Sequence, residues 1–325
     1  MVRRNRNSYS AARRYAVALA CLLLAVSAGA APGTTEHTVP ALLDLYSRHS
    51  AFGLPAISSA EIAALESGDA IVKVSGAPAP PGSATTAGTD TDTDTDTDTD
   101  NDNDNDEIVA VGVYGLQVVA APRLLIWLTV MGGNDERDER LTTAMLSRGD
   151  AGSYLRYQHI NLPWPVRDRH WVIYCEKNPQ IALDSDGVIW EHRWSLAENG
   201  GSLLNAAFAQ GRIAGLSVDD LSESIYLPEN QGAWAMLPLD ANRTLVIAYL
   251  DADLGGRFPA AVVRRFTRSN LKAGLASLRD LSSRVHLNYA SERPIHNGFG
   301  NLVSEQEAMA AAAGWQDAPS LGASD

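Results

Sequence analysis

In several segments between Ala70 and Asp251 apolar residues alternate with polar ones, the period of a strand with one face buried. Between Pro259 and Ser283 they recur at three or four, the period of a helix. The alternating segments predict strands over Ala70–Val74, Glu107–Val119, Thr142–Ser147, Tyr154–Leu162, His170–Lys177, Val188–Leu196, Gly232–Leu239 and Thr244–Asp251. Shorter helices are expected over Val39–Ser50, from the capping-box pattern at Ser58 and Glu61 through Leu65, from Pro122 through Val130, and over Leu203–Gln210. The sequence Asp184-Ser185-Asp186-Gly187 reads as the turn between two strands. Connections this short exclude a doubly wound parallel sheet, which needs long crossovers. The fold class expected is α+β: a curved antiparallel sheet wrapped around one long C-terminal helix, Pro259 to about Ser283, carrying Val263, Phe266, Leu271, Leu275, Leu278 and Leu281.

One stretch interrupts the alternation in an informative way. Pro163-Trp164-Pro165 lies between two strand patterns, and neither proline can donate a ladder hydrogen bond, so it must be a corner. The triplet Arg167-Asp168-Arg169 follows it directly. Those charges could hold a ligand's polar head; the plainer reading is an internal brace, with Asp168 as the partner of a buried arginine.

Composition divides the chain further. The formal net charge is −13; the first thirty residues hold five arginines and no acid, so the remainder carries −18, and Asp90–Glu107 holds nine aspartates and one glutamate, so what is left carries −8. A modestly acidic body offers no basic surface for phosphate counterion release, so no nucleic-acid partner is expected. The arginines precede an apolar run, Tyr15–Val26, and then Ala28-Gly29-Ala30, which reads as a secretory signal over residues 1–30 with export to the periplasm. An uncleaved membrane anchor is the alternative, and Cys21 only loosely fits a lipoprotein box. Residues 31–57 read as a linker with a short helix. The Thr-Asp and Asn-Asp repeats within residues 76–106 cannot bury apolar surface and read as a disordered insertion, without the glycine turns of a calcium loop. Residues 286–325 read as a flexible tail. Without the signal only Cys175 remains, in an apolar strand, so no internal disulfide is expected.

The usual catalytic signatures are missing. Gly215-Leu216-Ser217-Val218-Asp219 lacks the second glycine of a nucleophile elbow, and no zinc, P-loop or dinucleotide pattern occurs. No cofactor and no metal are expected. Alternation places Val188, Trp190, His192, Trp194 and Leu196 on one strand face and Ile189, Glu191, Arg193 and Ser195 on the other; Leu245, Ile247, Tyr249 and Asp251 share a face of a later strand. Tryptophans 164, 171, 190, 194 and 234 gather in the strand region, either as the wall of an apolar pocket or as plain core.

Two motifs in order carry a resemblance. Ile160 through Arg169, followed by an aromatic strand, resembles the START (StAR-related lipid-transfer) family; so does Trp234-Ala235-Met236-Leu237-Pro238-Leu239, then a strand, then Asp251 through Pro259 opening the last helix. The likeness runs from about Ser58 to Ser283, making 58–285 the domain, within the broader helix-grip superfamily. It implies a hydrophobic tunnel under the C-terminal helix, binding or transporting a lipid or other hydrophobic small molecule without a cofactor, with transient membrane contact during exchange. It places Pro163, Trp164, Pro165, Asp168 and Arg169 at the corner and Asp253, Gly255, Gly256 and Pro259 at the hinge. Residues singled out for the ligand are Trp164, Arg169, Trp190, Glu191, Arg193, Trp234, Tyr249, Asp251 and Phe266. The chain departs from the family pattern at residues 76–106 and at Asn134–Arg140. The same superfamily includes polyketide cyclases, so an enzyme using Glu191, Arg193 or Asp251 is the alternative; a ligand-free interaction module is the third.

Overall fold

The structure, a computed structural model, describes residues 36–74, 112–132, 140–162, 164, 166–255, 260–284 and 294–316. The expected signal, the Asp-rich insertion, Pro163, Pro165, Gly256 and Pro259 lie outside the described residues, as does the side chain of Phe266.

Helix α1 (Val39–His49) starts at Thr38, whose hydroxyl accepts from Ala41 N, and buries Val39, Leu42, Leu43 and Tyr46. Helix α2 (Ser59–Glu66) has the expected capping box: Ser58 accepts from Glu61 N while the Glu61 carboxylate accepts from Ser58 N. Strands β1 (Ile71–Val74) and β2 (Val113–Val119) follow, and then α3 (Arg123–Met131), which begins immediately after Pro122. Next come β3 (Leu141–Arg148), β4 (Tyr154–Ile160) and β5 (Arg169–Lys177). Where the sequence read only a turn at Asp184–Gly187, a short helix α4 (Pro179–Asp184) precedes it. Asn178 caps that helix through its side chain, and Pro179 suits its first turn. Strand β6 (Trp190–Leu196) leads to α5 (Gly200–Ala209), which starts three residues earlier than expected, and to α6 (Val218–Glu223), opened by a Ser217/Asp220 capping box that was not anticipated. The chain continues with β7 (Ile225–Tyr226), β8 (Glu229–Pro238), β9 (Thr244–Asp253) and the long helix α7 (Ala260–Ser282). A last helix, α8 (Glu305–Gln316), closes the described chain.

The strands form a sheet in the order β1-β2-β9-β8-β6-β5-β4-β3, antiparallel throughout this path, with β7 pairing in parallel on β5. Its two faces carry separate cores. Helix α7 lies on one, the helix face, against β1, β2 and α3. Here Leu275 and Leu278 join Val119, Trp127, Trp190, Met236 and Val246. Gly115 permits that approach: a Cβ there would stand 2.7 Å from Leu271 Cγ and 2.8 Å from Leu275 Cδ1. Helices α1 and α2 cover the opposite face, the far face, where Leu42, Tyr46 and Leu65 pack on Tyr114, Leu116, Leu237, Ile247 and Tyr249.

The tail departs from expectation. Within residues 286–325, the described segment 294–316 is folded: His296 bridges Leu302, Ser304 and Glu307 cap α8, and Ile295, Val303, Ala308 and Ala312 are buried in the helix-face core. The Ser304-x-x-Glu307 signal was present in the sequence. An alanine-rich helix shows little apolar contrast between its sides, so its docking could not be read from periodicity.

Candidate functional site

Trp164 lies in the connection between β4 and β5, and its side chain projects outward. Trp164 is 92% exposed, so it is a surface tip and not part of an enclosed wall. The charged triplet braces the corner, but through different partners from those expected. Arg169, 2% exposed, donates from Nε to Leu254 O (2.5 Å), from Nη2 to Gly255 O (2.9 Å) and from Nη1 to Arg167 O. Asp168 instead accepts from Leu162 N (2.8 Å) and lies 3.8 Å from His159 Nε2. Arg167 caps the end of α6 by donating to Glu223 O, Ser222 O and Ser224 O. Carbonyls won over the neighbouring carboxylate because a guanidinium has five donors in a fixed fork, and a loop end offers several acceptors at once. Arg169 thus ties the corner to the segment that precedes α7. Asp253 shapes that segment by accepting from Gly255 N (2.8 Å), and Gly255 takes φ +63°, open to glycine without strain.

The residues singled out for ligand contact fall on opposite faces. Glu191, Arg193, Tyr249 and Asp251 all point to the far face. There Glu191 accepts from Asn178 Nδ2 (2.7 Å) and, at 3.5 Å, from the Tyr46 hydroxyl. Its burial pushes the carboxyl above the usual range. Tyr249 donates to Asp251 Oδ2 (3.2 Å), which also accepts from Gln231. Arg193 pairs with Glu176 at 2.6 Å in a half-exposed position, worth little in stability. A shallow cleft of about 240 Å³ is lined there by Phe52, Tyr174, Glu176, Arg193 and Gln231, among others. Trp190 and Trp234, by contrast, belong to the helix-face core. No single chamber can use both sets, because the sheet lies between them.

On the helix face the register of β4, β5 and β6 assembles a continuous strip. Cys175 stands opposite Trp194 and Tyr154, Ile173 opposite Arg156 and Leu196, and Trp171 opposite Gln158. Trp171, Trp194 and Trp234 are half-buried. The Trp194 indole lies across Gly232, where a Cβ would stand 2.2 Å from its ring, and donates to Asn230 Oδ1 (2.9 Å). Trp171 donates to Gln158 Oε1 (3.0 Å). The Trp171 and Trp194 indoles are fixed apolar plates with their single polar atoms already satisfied.

One end of the strip is polar, and sequence reasoning missed it. Lys177 stands directly opposite His192 and is only 7% exposed. Its ammonium donates to Gly152 O at 3.4 Å and lies 5.5 Å from the Tyr154 ring and 5.9 Å from that of Trp127. Burial, with a contribution from Arg156, pushes it down to about 8. His192 shares a 3.2 Å hydrogen bond between Nε2 and the Tyr154 hydroxyl, and the two rings stack at 5.8 Å. Burial and the Lys177 and Arg156 cations drive the His192 pKa well below its usual value, so the imidazole is neutral. The available signal was the phase of β5: Lys177 shares its face with Cys175, which was already read as buried. Among the described residues no group of three His, Cys, Asp or Glu could hold a metal ion.

No family model and no curated protein matches this chain. Solved structures are similar. Human STARD10 aligns at 9% identity over 54% of this chain and 64% of its own, somewhat under two thirds of that protein, with a TM-score of 0.42. A STAR-related lipid transfer protein from Xanthomonas axonopodis aligns at 17% identity over 53% of this chain and 86% of its own, with a TM-score of 0.39. The Zhui aromatase/cyclase from Streptomyces sp. R1128 aligns at 12% identity over 56% and 96%, with a TM-score of 0.34. By its own strand order and the long helix laid across one face, the chain has an α+β fold of the helix-grip type.

Proposed function

We propose that the protein binds a lipid or other hydrophobic small molecule on the helix face of the sheet, and that it does so after export from the cytoplasm. The observation that carries this reading is the strip of Ile173, Trp171, Trp194 and Trp234, apolar side chains in fixed orientations that continue beyond the described packing of α7 on β1 and β2. Removing apolar ligand surface from water there would contribute roughly 25 cal/mol per Å². Entry and exit would require α7 or its leading segment to move about Asp253–Gly255. Native mass spectrometry of the purified full chain, coupled to solvent extraction, tests the reading. A mass excess that disappears on extraction and is recovered as an apolar compound is expected. Protein that carries no excess and takes up no hydrophobic fluorescent probe would sink the idea. Cell fractionation tests export, with recovery in the cytoplasmic fraction counting against it.

Catalysis on the same face is a second reading, favoured by the meeting of Lys177, His192 and Tyr154. Glu191, Arg193 and Asp251 cannot take part on that face, since they lie beyond the sheet. A ligand returned to stripped protein and recovered chemically unchanged after long incubation would exclude turnover.

A further inference from the structure

We propose that Lys177, together with Tyr154 and His192, anchors the carboxylate head of an amphiphile whose apolar body lies along Cys175, Ile173 and Trp171. The proposal rests on the ligand-binding reading above and narrows it to an acid. A buried ammonium normally sits beside a carboxylate, since an unpaired charge out of water costs several kcal/mol. Among the described residues Lys177 forms no ion pair: its one hydrogen bond is long and goes to a neutral carbonyl. The ammonium has three donors, so two remain to be satisfied. The flanking rings compensate only weakly, because both lie near the outer limit of about 6 Å for a cation–π contact.

Arg156 lies on the same face, and no carboxylate is among the groups that perturb Lys177. Trp190, on β6 two residues from His192, has a buried indole N–H with no acceptor. The Lys177 ammonium and the Trp190 indole N–H are thus two buried donors whose hydrogen-bonding capacity the described residues do not fill. The Tyr154 hydroxyl is a further polar atom at this end of the strip. A carboxylate, with two acceptor oxygens and one charge, matches a single ammonium and its neighbours better than a phosphate monoester, which brings nearly two charges. Lys177 remains largely protonated at neutral pH even with its pKa pushed down to about 8.

The apolar part follows from strand geometry. From Lys177 to Trp171 the same face of β5 presents Cys175 and Ile173, a run of about 20 Å at ~3.3 Å per residue. An extended acyl chain laid along it would keep its head at Lys177 and pass between Trp194 and Tyr154, which flank Cys175 on the adjacent strands.

The test uses a matched pair of probes, cis-parinaric acid and its methyl ester, titrated by fluorescence into the full chain stripped of endogenous ligand. The acid should bind at least ten-fold more tightly than the ester. Lys177→Met should remove that preference by weakening acid binding while leaving ester binding within about two-fold. Tyr154→Phe, a milder change, should reduce the preference by a few-fold and covers the case in which the lysine variant does not fold. Equal binding of acid and ester by the unmodified protein overturns the carboxylate anchor while leaving the hydrophobic-ligand reading in place. Binding of neither probe overturns both. An acid preference that survives unchanged in both variants overturns the assignment to these residues.

Discussion

Lys177 illustrates how a single residue can sit in a folded protein at a cost. Its pKa falls from 10.5 to about 8 on burial, so folding disfavours the charged form relative to the unfolded chain. The stability that follows from neutrality is present above the unfolded pKa and is lost as pH falls through the folded one. At neutral pH the charged lysine therefore weakens the fold, by an amount on the order of 3 kcal/mol. Lys177→Met should raise the melting temperature at pH 7, and the gain should shrink between pH 8 and pH 10.5. Thermal denaturation across that range checks it; a gain that does not vary with pH would show that the lysine is not strained by its charge. Glu191 follows the same logic on the far face. Its raised carboxyl pKa makes the fold most favourable below about 4.5, the usual glutamate value, with loss as pH rises through the folded value. Glu191→Gln should stabilise the protein increasingly above that pH, measured by the same melts.

Among the elements, the seat of α7 on β2 depends on the absence of a side chain at Gly115. Gly115→Ala would place a Cβ inside Leu271 and Leu275, in a core with little room to yield, and should destabilise by about 1–3 kcal/mol. Chemical denaturation would show this as a lowered midpoint, and a smaller Leu271→Ala partner change should recover part of the loss. No signal for this close approach exists in the sequence, because a glycine in a strand can equally mark a bulge or a bend. The link between corner and hinge was half legible. Both motifs could be seen in the residues, and the position of Arg169 beside the corner suggested a brace. That its guanidinium would reach Leu254 and Gly255, 85 and 86 residues away in sequence, required the pairing of β5 beside β6 and β8 beside β9.

Among the described residues from His37 onward, the sheet carries a core on each side. The tail 294–316 seals part of the helix-face core through Ile295, Val303, Ala308 and Ala312, beside α3 and α7. Removing residues 294–325 should therefore expose apolar surface: the truncated chain should melt lower and bind an apolar dye that the intact chain excludes. A truncation with an unchanged melting temperature would show that the segment adds nothing to the fold.

The sequence by itself determined the main strands, the long helix and the face each strand side chain takes. Strand alternation is a local property of the backbone, so the separation of Trp190, His192 and Trp194 from Glu191 and Arg193 could be read directly. Proline chemistry alone required a corner at residues 163–165, and capping boxes at Ser58, Ser217 and Ser304 are written within four residues each. Only the tertiary structure decided which face lies under α7 and which under α1. It thereby placed Glu191, Tyr249 and Asp251 away from Trp190 and Trp234, and brought Lys177, His192 and Tyr154 together from three strands. Alternation divides residues into two sets without saying what covers either, and the covering elements arrive from opposite ends of the chain. The meeting of the buried Lys177 with His192 and Tyr154 at the end of an apolar strip is a product of strand register, which no local pattern encodes.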